Sequence, residues 1–126
     1  MVPADLRYTK DHEWVRVEGD QATIGITEYA AEQLGDIVFV ELPDVGRDLA
    51  QFATFGVVES VKAVSDLFAP VGGAVTETNG ELSSRPEVVN SDAYGEGWMI
   101  KVKLSDPAQM DQLLDASAYE ALTAAG

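Results

Sequence analysis

The sequence predicts a mostly β protein with short flanking helices, built as a sandwich or a barrel. Its dominant pattern is a series of short β-prone runs separated by turn residues, which is typical of those two architectures. In the clearest run, Gly97–Leu104, Trp98 and every second residue after it are apolar and share one face of a strand. Another run, Ile37–Leu42, is strongly β-prone and ends at the turn sequence Pro43–Gly46.

Several shorter runs complete the predicted strands. Turn residues divide these runs, and the pair Asn79-Gly80 is a strong tight-turn signal. The remaining predicted strands are Trp14–Val17, Ala22–Ile26, Phe55–Val58, Val61–Val64 and Ala74–Thr76.

Helical signals are confined to short segments. Thr27 is an N-cap candidate for a helix over residues 28–34 that Gly35 stops. Ser105 or Asp106 caps a second helix, which has Pro107 in its first turn. The apolar face of this second helix consists of Met110, Leu113 and Leu114, at positions i, i+3 and i+4. A further short helix is predicted at Ala118–Ala124.

Length and charge limit the classes of function. The 126 residues fit one domain, because two cores would leave about 60 residues each, near the lower limit of stable folding. Eight Lys and Arg against 22 Asp and Glu give a formal charge of −14. This charge argues against nucleic acids and anionic membrane surfaces as partners. It favours steering towards basic surfaces of a partner, an attraction that weakens as salt rises.

Residue types also limit the chemistry of any site. The absence of cysteine excludes disulfides, thiolate metal sites and cysteine nucleophiles. His12 is the single histidine, so no multi-histidine metal site is possible within one chain, and no metal site is predicted. Lysine chemistry is restricted to Lys10, Lys62, Lys101 and Lys103.

The hydropathy pattern predicts a cytoplasmic protein. No stretch approaches the roughly 18 to 20 apolar residues that span a bilayer. The first ten residues, Met1–Lys10, have neither the apolar core of a signal peptide nor the character of a transit peptide.

The unusual segment is Gly56–Asp66, where Lys62 interrupts an apolar, β-prone run. Strand alternation would direct Ser60 and Lys62 to one face. On the residues alone, three ordinary explanations for the lysine stay open. It is an exposed strand residue, an edge-strand guard against aggregation, or a partner of Glu59 or Asp66 in a surface ion pair.

Five blocks of the sequence, in order and with small gaps, resemble the H proteins of the glycine cleavage system. The string ESVKAVSD at Glu59–Asp66, followed by Ala69–Val75, is similar to the lipoyl-attachment hairpin of that family. All five blocks together are far more specific than any one of them. The other four are Tyr8–Val15, Ala22–Thr27, Leu34–Pro43 and Gly95–Ile100.

The resemblance implies a small β sandwich of the biotinyl/lipoyl type, a barrel-sandwich hybrid, with short flanking helices that include a C-terminal one. Residues 1–126 would form a single lipoyl-carrier domain. Lys62 would lie at an exposed hairpin turn and carry lipoic acid in amide linkage on its ε-amine. N-terminal and C-terminal extensions, Met1–Trp14 and Pro107–Gly126, would pack on the core.

The same resemblance implies a carrier and not an enzyme, so no catalytic residue is expected. The arm would take the aminomethyl group of glycine from the pyridoxal-phosphate glycine decarboxylase (P protein). It would pass this group to the tetrahydrofolate-dependent aminomethyltransferase (T protein), and dihydrolipoyl dehydrogenase (L protein) would reoxidise the arm. A lipoate ligase or a lipoyl/octanoyl transferase would attach lipoic acid. The carrier is expected to be a monomer.

Five further residues are candidates for supporting roles. The loaded arm ends in an amine that is cationic near neutral pH. Glu13 and Asp66 are candidates for holding it through charge-assisted hydrogen bonds, the alternative being that both are solvated surface acids. Glu59, Gly56 and Gly73 are candidates for recognition of the turn by the modifying ligase.

Other functions stay open at this point. A biotin carrier shares the fold, but Val61 and Ala63 stand where biotin acceptors typically have methionines. Lipoyl domains of 2-oxoacid dehydrogenases lack the opening and closing blocks, whereas a lipoyl donor role in protein lipoylation fits the same residues. An enzyme that forms a Schiff base would need Lys62 buried among acid and base partners. A plain interaction module would leave Lys62 unmodified.

Overall fold

The computed structural model of the chain describes residues 2–125, and two antiparallel sheets dominate it. In chain order the strands are β1 (Arg7–Tyr8), β2 (Glu13–Glu18), β3 (Gln21–Ile26), β4 (Ile37–Glu41), β5 (Asp48–Leu49), β6 (Thr54–Ser60), β7 (Val64–Phe68), β8 (Gly73–Thr78) and β9 (Ile100–Leu104). The helices are α1 (Glu28–Leu34), α2 (Glu81–Ser84), α3 (Val88–Ser91) and α4 (Ala116–Ala125), with a 3₁₀ helix at Pro107–Gln112.

The two sheets pack face to face as a sandwich. The larger sheet has the strand order β1-β2-β3-β9-β8-β5, and the smaller one has the order β4-β6-β7. Each sheet turns an apolar face inward, and β3 is buried along almost its whole length. The shared core includes Val15, Ile24, Ile100 and Val102 from the larger sheet and Val40, Phe55, Val58 and Leu67 from the smaller one. The predicted mostly β sandwich is therefore confirmed.

The two ends of the described chain are joined beside this core. Tyr8 and Leu114 exchange backbone hydrogen bonds of 2.8 Å in both directions. The ring of Tyr119, on α4, stacks on Tyr8 with centroids 4.7 Å apart. The Tyr119 hydroxyl lies 2.7 Å from Thr27 Oγ1 and 2.8 Å from His12 Nδ1. Residues 7–8 and the C-terminal helix are thus tied to the start of α1.

The predicted helix before β4 is confirmed together with its caps. Thr27 Oγ1 accepts a hydrogen bond from the Ala30 N–H at 3.1 Å, which satisfies one of the free donors of the first turn. Gly35 ends α1 with a φ of 84°, a backbone conformation that favours glycine.

The helix predicted after Pro107 is wrong in type. Asp106 does cap it, accepting from the Ala108 N–H at 3.1 Å, but the segment is a 3₁₀ helix. Leu113 already has extended dihedrals, and Leu114 pairs with Tyr8. The i, i+3, i+4 face therefore does not form, because pairing with β1 draws the chain out of the helix. The last predicted helix is confirmed as α4, which begins two residues earlier than expected.

Candidate functional site

Lys62 lies in the tight turn between β6 and β7. The Ser60 N–H donates to the Ala63 carbonyl at 2.8 Å, which closes the turn. The Ser60 Oγ accepts from the backbone N–H groups of Lys62, at 3.3 Å, and Ala63, at 3.0 Å. The predicted strand Val61–Val64 is therefore wrong over its first three residues, and Lys62 shares no strand face with Ser60. The cause is the serine side chain, which supplies the turn with a local acceptor.

The turn is exposed yet held in place. Lys62 is exposed, and its neighbours Val61 and Val64 are each 68% exposed. The Val61 N–H donates to the Asp36 carbonyl at 3.0 Å, which fastens the turn to the loop before β4. Gly35 lies beside the lysine stem, since a Cβ built on it would be in ordinary van der Waals contact with Lys62 Cε, at 3.5 Å. The arrangement presents one primary amine from a fixed point of the backbone.

Gly56 and Gly73 are buried where strands approach each other closely. A Cβ on Gly56 would overlap the carbonyl oxygen of Glu41, and one on Gly73 would overlap that of Lys103. Neither glycine reaches the surface at the turn, and Gly73 belongs to the other sheet. Of the candidates for ligase recognition only Glu59 lies next to the turn, in register with Val64.

Glu13 is a buried carboxyl group, 2% exposed, at the start of β2. Its Oε1 accepts from Thr9 Oγ1 at 2.6 Å, and its Oε2 accepts from the Phe68 N–H at 3.3 Å. Burial raises its pKa to about 7, although both hydrogen bonds favour the charged form. The alternative that Glu13 is a solvated surface acid is wrong. The sequence around Glu13 did not predict its burial, because the strand that covers it, β7, lies more than 50 residues further along the chain.

Asp66 is exposed on β7, between Lys62 and the point where Phe68 contacts Glu13. At about 3.3 Å per strand residue, Asp66 lies roughly 7 Å and Phe68 roughly 13 Å along β7 from Val64, the first strand residue after the turn. A surface cleft of about 470 Å³ opens beside Thr9, the residue that binds Glu13. Its walls include Tyr8, Asp11, Phe52 and Leu114. Asp66 thus lies on the strand that leads away from Lys62, and Glu13 of β2 contacts the same strand two residues further on, at Phe68.

Glu13 should make the stability of the protein depend on pH. A carboxyl with a raised folded-state pKa binds its proton more tightly than the unfolded chain does, so stability falls as pH rises from about 4.5 to about 7. We expect wild type to lose on the order of 3 kcal/mol relative to Glu13→Gln over this range, with no further change above it. Urea unfolding of both proteins at several pH values measures this difference. Parallel stability curves would refute the shifted pKa.

Sequence reasoning missed the contact of His12 with Tyr119. His12 adopts a left-handed backbone with φ 72°, and burial lowers its pKa. Its Tyr119 partner comes from a helix 107 residues away, so no local pattern signals the pair. Across residues 2–125, no three or more His, Asp or Glu side chains are grouped closely enough to bind a metal ion. No helix in this part of the chain is long and apolar enough to cross a membrane.

A two-sheet sandwich that presents one lysine on an anchored hairpin is typical of the biotinyl/lipoyl type of β sandwich. Comparisons with known proteins agree with this class. The family model described as Glycine cleavage H-protein matches residues 6–125. The chain therefore belongs to the glycine cleavage H-protein family.

Individual relatives are similar over almost the full chain. The glycine cleavage system H protein of Symbiobacterium thermophilum is 61% identical over 125 residues, which cover 99% of this chain and 98% of the relative. That of Magnetococcus marinus is 62% identical over 120 residues, covering 95% and 86%. The crystal structure of a glycine cleavage system H protein from Mycobacterium marinum superposes with a TM-score of 0.90 at 40% identity, covering 98% of this chain and 99% of that one.

Proposed function

We propose that the chain is the lipoyl carrier of a glycine cleavage system and that Lys62 carries lipoic acid as an amide on its ε-amine. The observation that carries the proposal is the exposed Lys62 in a hairpin turn closed by Ser60. The small side chain of Ala63 and the open surroundings leave room for a lipoate ligase or a lipoyl/octanoyl transferase. Glu59, next to the turn, is our candidate for a direct ligase contact. Gly56 and Gly73 would act only through the shape of the sheets.

The protein contributes a fixed attachment point and a mobile tether. When bound, lipoic acid supplies the dithiolane sulfurs that take up and release the aminomethyl group of glycine. The partners are glycine decarboxylase (P protein), aminomethyltransferase (T protein) and dihydrolipoyl dehydrogenase (L protein). A tether raises the effective concentration of the arm only where linker geometry allows each engagement. The bond from Val61 to Asp36 keeps the origin of the tether still, which supports this role.

Alternative functions gain less support. A Schiff-base enzyme needs a sheltered lysine with acid and base partners, whereas Lys62 is exposed. A biotin carrier would have the same turn, and Val61 and Ala63 are the residues that argue against it. Donation of the lipoyl group to other enzymes remains compatible with every feature of the turn. We also propose one domain over residues 1–126 and a cytoplasmic monomer.

Matched labelling tests the proposal against its alternatives. The purified protein is incubated with lipoate and a lipoate ligase, and separately with biotin and a biotin ligase. We expect one lipoyl adduct in the first reaction and none in the second. The lipoylated protein should then support exchange between CO₂ and the carboxyl group of glycine by the decarboxylase. A protein that stays unmodified by an active lipoate ligase would contradict the proposal.

We propose that Asp66 of β7 and Glu13, which contacts β7 at Phe68, hold the loaded arm. Its terminal ammonium would rest against Asp66 and would reach Glu13 through the cleft beside Thr9. We expect Asp66→Asn to hydrolyse the loaded arm about fivefold faster than wild type, because a charge-assisted hydrogen bond is lost. Glu13→Ala should also hydrolyse the loaded arm faster than wild type.

The control for this experiment is Asp48→Asn, which removes an exposed acid from β5 of the other sheet. Release of the aminomethyl group is followed in buffer, without partner enzymes. An unchanged rate in Asp66→Asn removes Asp66 from the role, and an unchanged rate in Glu13→Ala removes Glu13.

A further inference from the structure

Apolar side chains gather around the lysine turn. In the described part of the chain, seven large hydrophobic side chains are exposed, and four of them belong to the turn or to strand ends beside it. The four are Val38 (53% exposed), Phe39 (48%), Val61 (68%) and Val64 (68%). Phe39 and Val64 flank Glu59 in register across the smaller sheet, on the face turned away from the core. We name these four residues the apolar patch.

An acidic row lies beside the apolar patch on the same face. Glu41, Val57 and Asp66 are in register across the three strands, one row further from the turn than Phe39 and Val64. Including Glu59, strands β4, β6 and β7 carry three acids and no lysine or arginine. Amide formation would also remove the charge of Lys62, so the strands and the turn of the modified face would carry no cation. Arg47, outside the strands, donates to the Thr54 carbonyl at the far end of β6 and lines the same cleft as Glu41.

The strands of the larger sheet carry charges of both signs. Four of the eight cations of the chain lie on its strands. They are Arg7 on β1, Arg16 on β2, and Lys101 and Lys103 on β9. Glu13, Glu18, Asp48 and Glu77 balance these cations on the strands of the larger sheet. Only the smaller sheet combines the apolar patch with strands whose charged residues are all acids.

We propose that the outer face of the smaller sheet docks the enzyme that loads the arm, through an apolar rim that covers the patch and basic residues that face Glu41, Glu59 and Asp66. The inference rests on the proposed carrier function and specifies which face is used. An apolar patch beside an active group is a common mark of an interaction site. Burial of Phe39 and Val64 would supply affinity, and the acids would steer the encounter.

Charge argues against a second copy of this chain as the occupant. A two-fold symmetric dimer places the same patch against itself. Glu41, Glu59 and Asp66 of one copy would then face the same acids of the other, and like charges across an interface are unfavourable. The occupant must bring positive charge, which a second copy of this face lacks.

Substitutions on fully lipoylated protein test this docking face. The dissociation constant for the glycine decarboxylase is measured by titration calorimetry, and KM and kcat by the exchange reaction. We expect Phe39→Ala to raise the dissociation constant and KM about tenfold and Val64→Thr about threefold, with kcat within twofold of wild type. Val45→Thr is the matched control, because Val45 is 62% exposed but distant in sequence from the turn. It should leave the dissociation constant and KM unchanged.

Salt separates the apolar patch from the acidic row. KM of wild type should rise with salt. The ratio of the KM of Phe39→Ala to that of wild type should stay constant as salt rises. In Glu41→Gln, KM should depend less on salt than it does in wild type. Val64→Thr keeps a β-branched residue, so it gives a second result if Phe39→Ala folds poorly.

Three outcomes would overturn the docking face. The first is unchanged affinity in both patch variants at full lipoylation. The second is a wild-type dimer in sedimentation that Phe39→Ala dissociates, which would assign the patch to a second copy. The third is faster hydrolysis of the loaded arm in Phe39→Ala with unchanged affinity, which would assign the patch to the arm. Failure to lipoylate wild type would instead refute the proposed function, so the two failures are distinguishable.

Discussion

Replacing Lys62 by arginine is expected to abolish modification and transfer while leaving the fold intact. A guanidinium stays protonated in proteins and is no acyl acceptor under ligase conditions, although it keeps the charge and length of the lysine. Because Lys62 is exposed and its hairpin is closed by backbone groups and Ser60, thermal unfolding should be unchanged. Intact mass after ligase treatment should show no lipoyl adduct, and the exchange reaction should fall to the level without carrier.

The control for Lys62→Arg is Lys103→Arg, which changes an exposed lysine on β9 in the same way. It should be lipoylated and active like wild type. A Lys62→Arg protein that still accepts one lipoyl group would assign the attachment to a different lysine and overturn the site.

Gly73→Ala is expected to cause a large loss in the free energy of unfolding. The added Cβ would overlap the Lys103 carbonyl oxygen on the paired strand, and the φ of 153° at this buried position favours glycine. We expect a loss of about 3 to 5 kcal/mol in the free energy of unfolding, because both the backbone and strand β9 would have to shift. Urea unfolding of Gly73→Ala and wild type measures the loss.

Gly80→Ala is the matched control for this effect. Gly80 has an ordinary helical φ of −64°, and a Cβ there would meet nothing within 4 Å. The variant should range from no change to a gain of about 1 kcal/mol, from the lower entropy of the unfolded chain. Equal stability of Gly73→Ala and wild type would contradict the close approach of β8 and β9.

Local sequence patterns predicted the elements whose structure depends on neighbouring residues. Strands β2, β3 and β4 follow from short β-prone runs bounded by turn residues, and α1 follows from the cap at Thr27 and the stop at Gly35. These signals are strong because the acceptor or the buried face lies within a few residues along the chain.

Contacts between distant segments decided what the patterns could not predict. The 3₁₀ helix ends early because Leu114 pairs with Tyr8, over a hundred residues away in sequence. The short helices α2 and α3 were not predicted, and β9 begins at Ile100 instead of Gly97. Asn79 accounts for part of this, since its side-chain amide donates to the carbonyls of Glu96 and Trp98 at 2.8 and 2.7 Å and ties this connection together.

The candidate site shows the same division. Family resemblance indicated Lys62 at a turn, whereas alternation alone extended a strand through it and overlooked the Ser60 acceptor. The burial of Glu13 depends on Thr9, four residues away, and on Phe68 of the opposite sheet. The contact with Phe68 is distant in sequence, so no local pattern could predict it. The apolar patch likewise emerges only when Phe39 and Val64 are brought into register by β6.

The most direct test of the carrier function is the mass of the peptide that contains Lys62, measured before and after turnover. The protein is lipoylated, incubated with glycine and the decarboxylase, quenched and digested. We expect a lipoyl adduct on Lys62 before turnover and an aminomethyl increment on the same peptide afterwards. A lipoyl adduct on another residue, or a Lys62 adduct that gains no mass with active decarboxylase and glycine, would contradict the account.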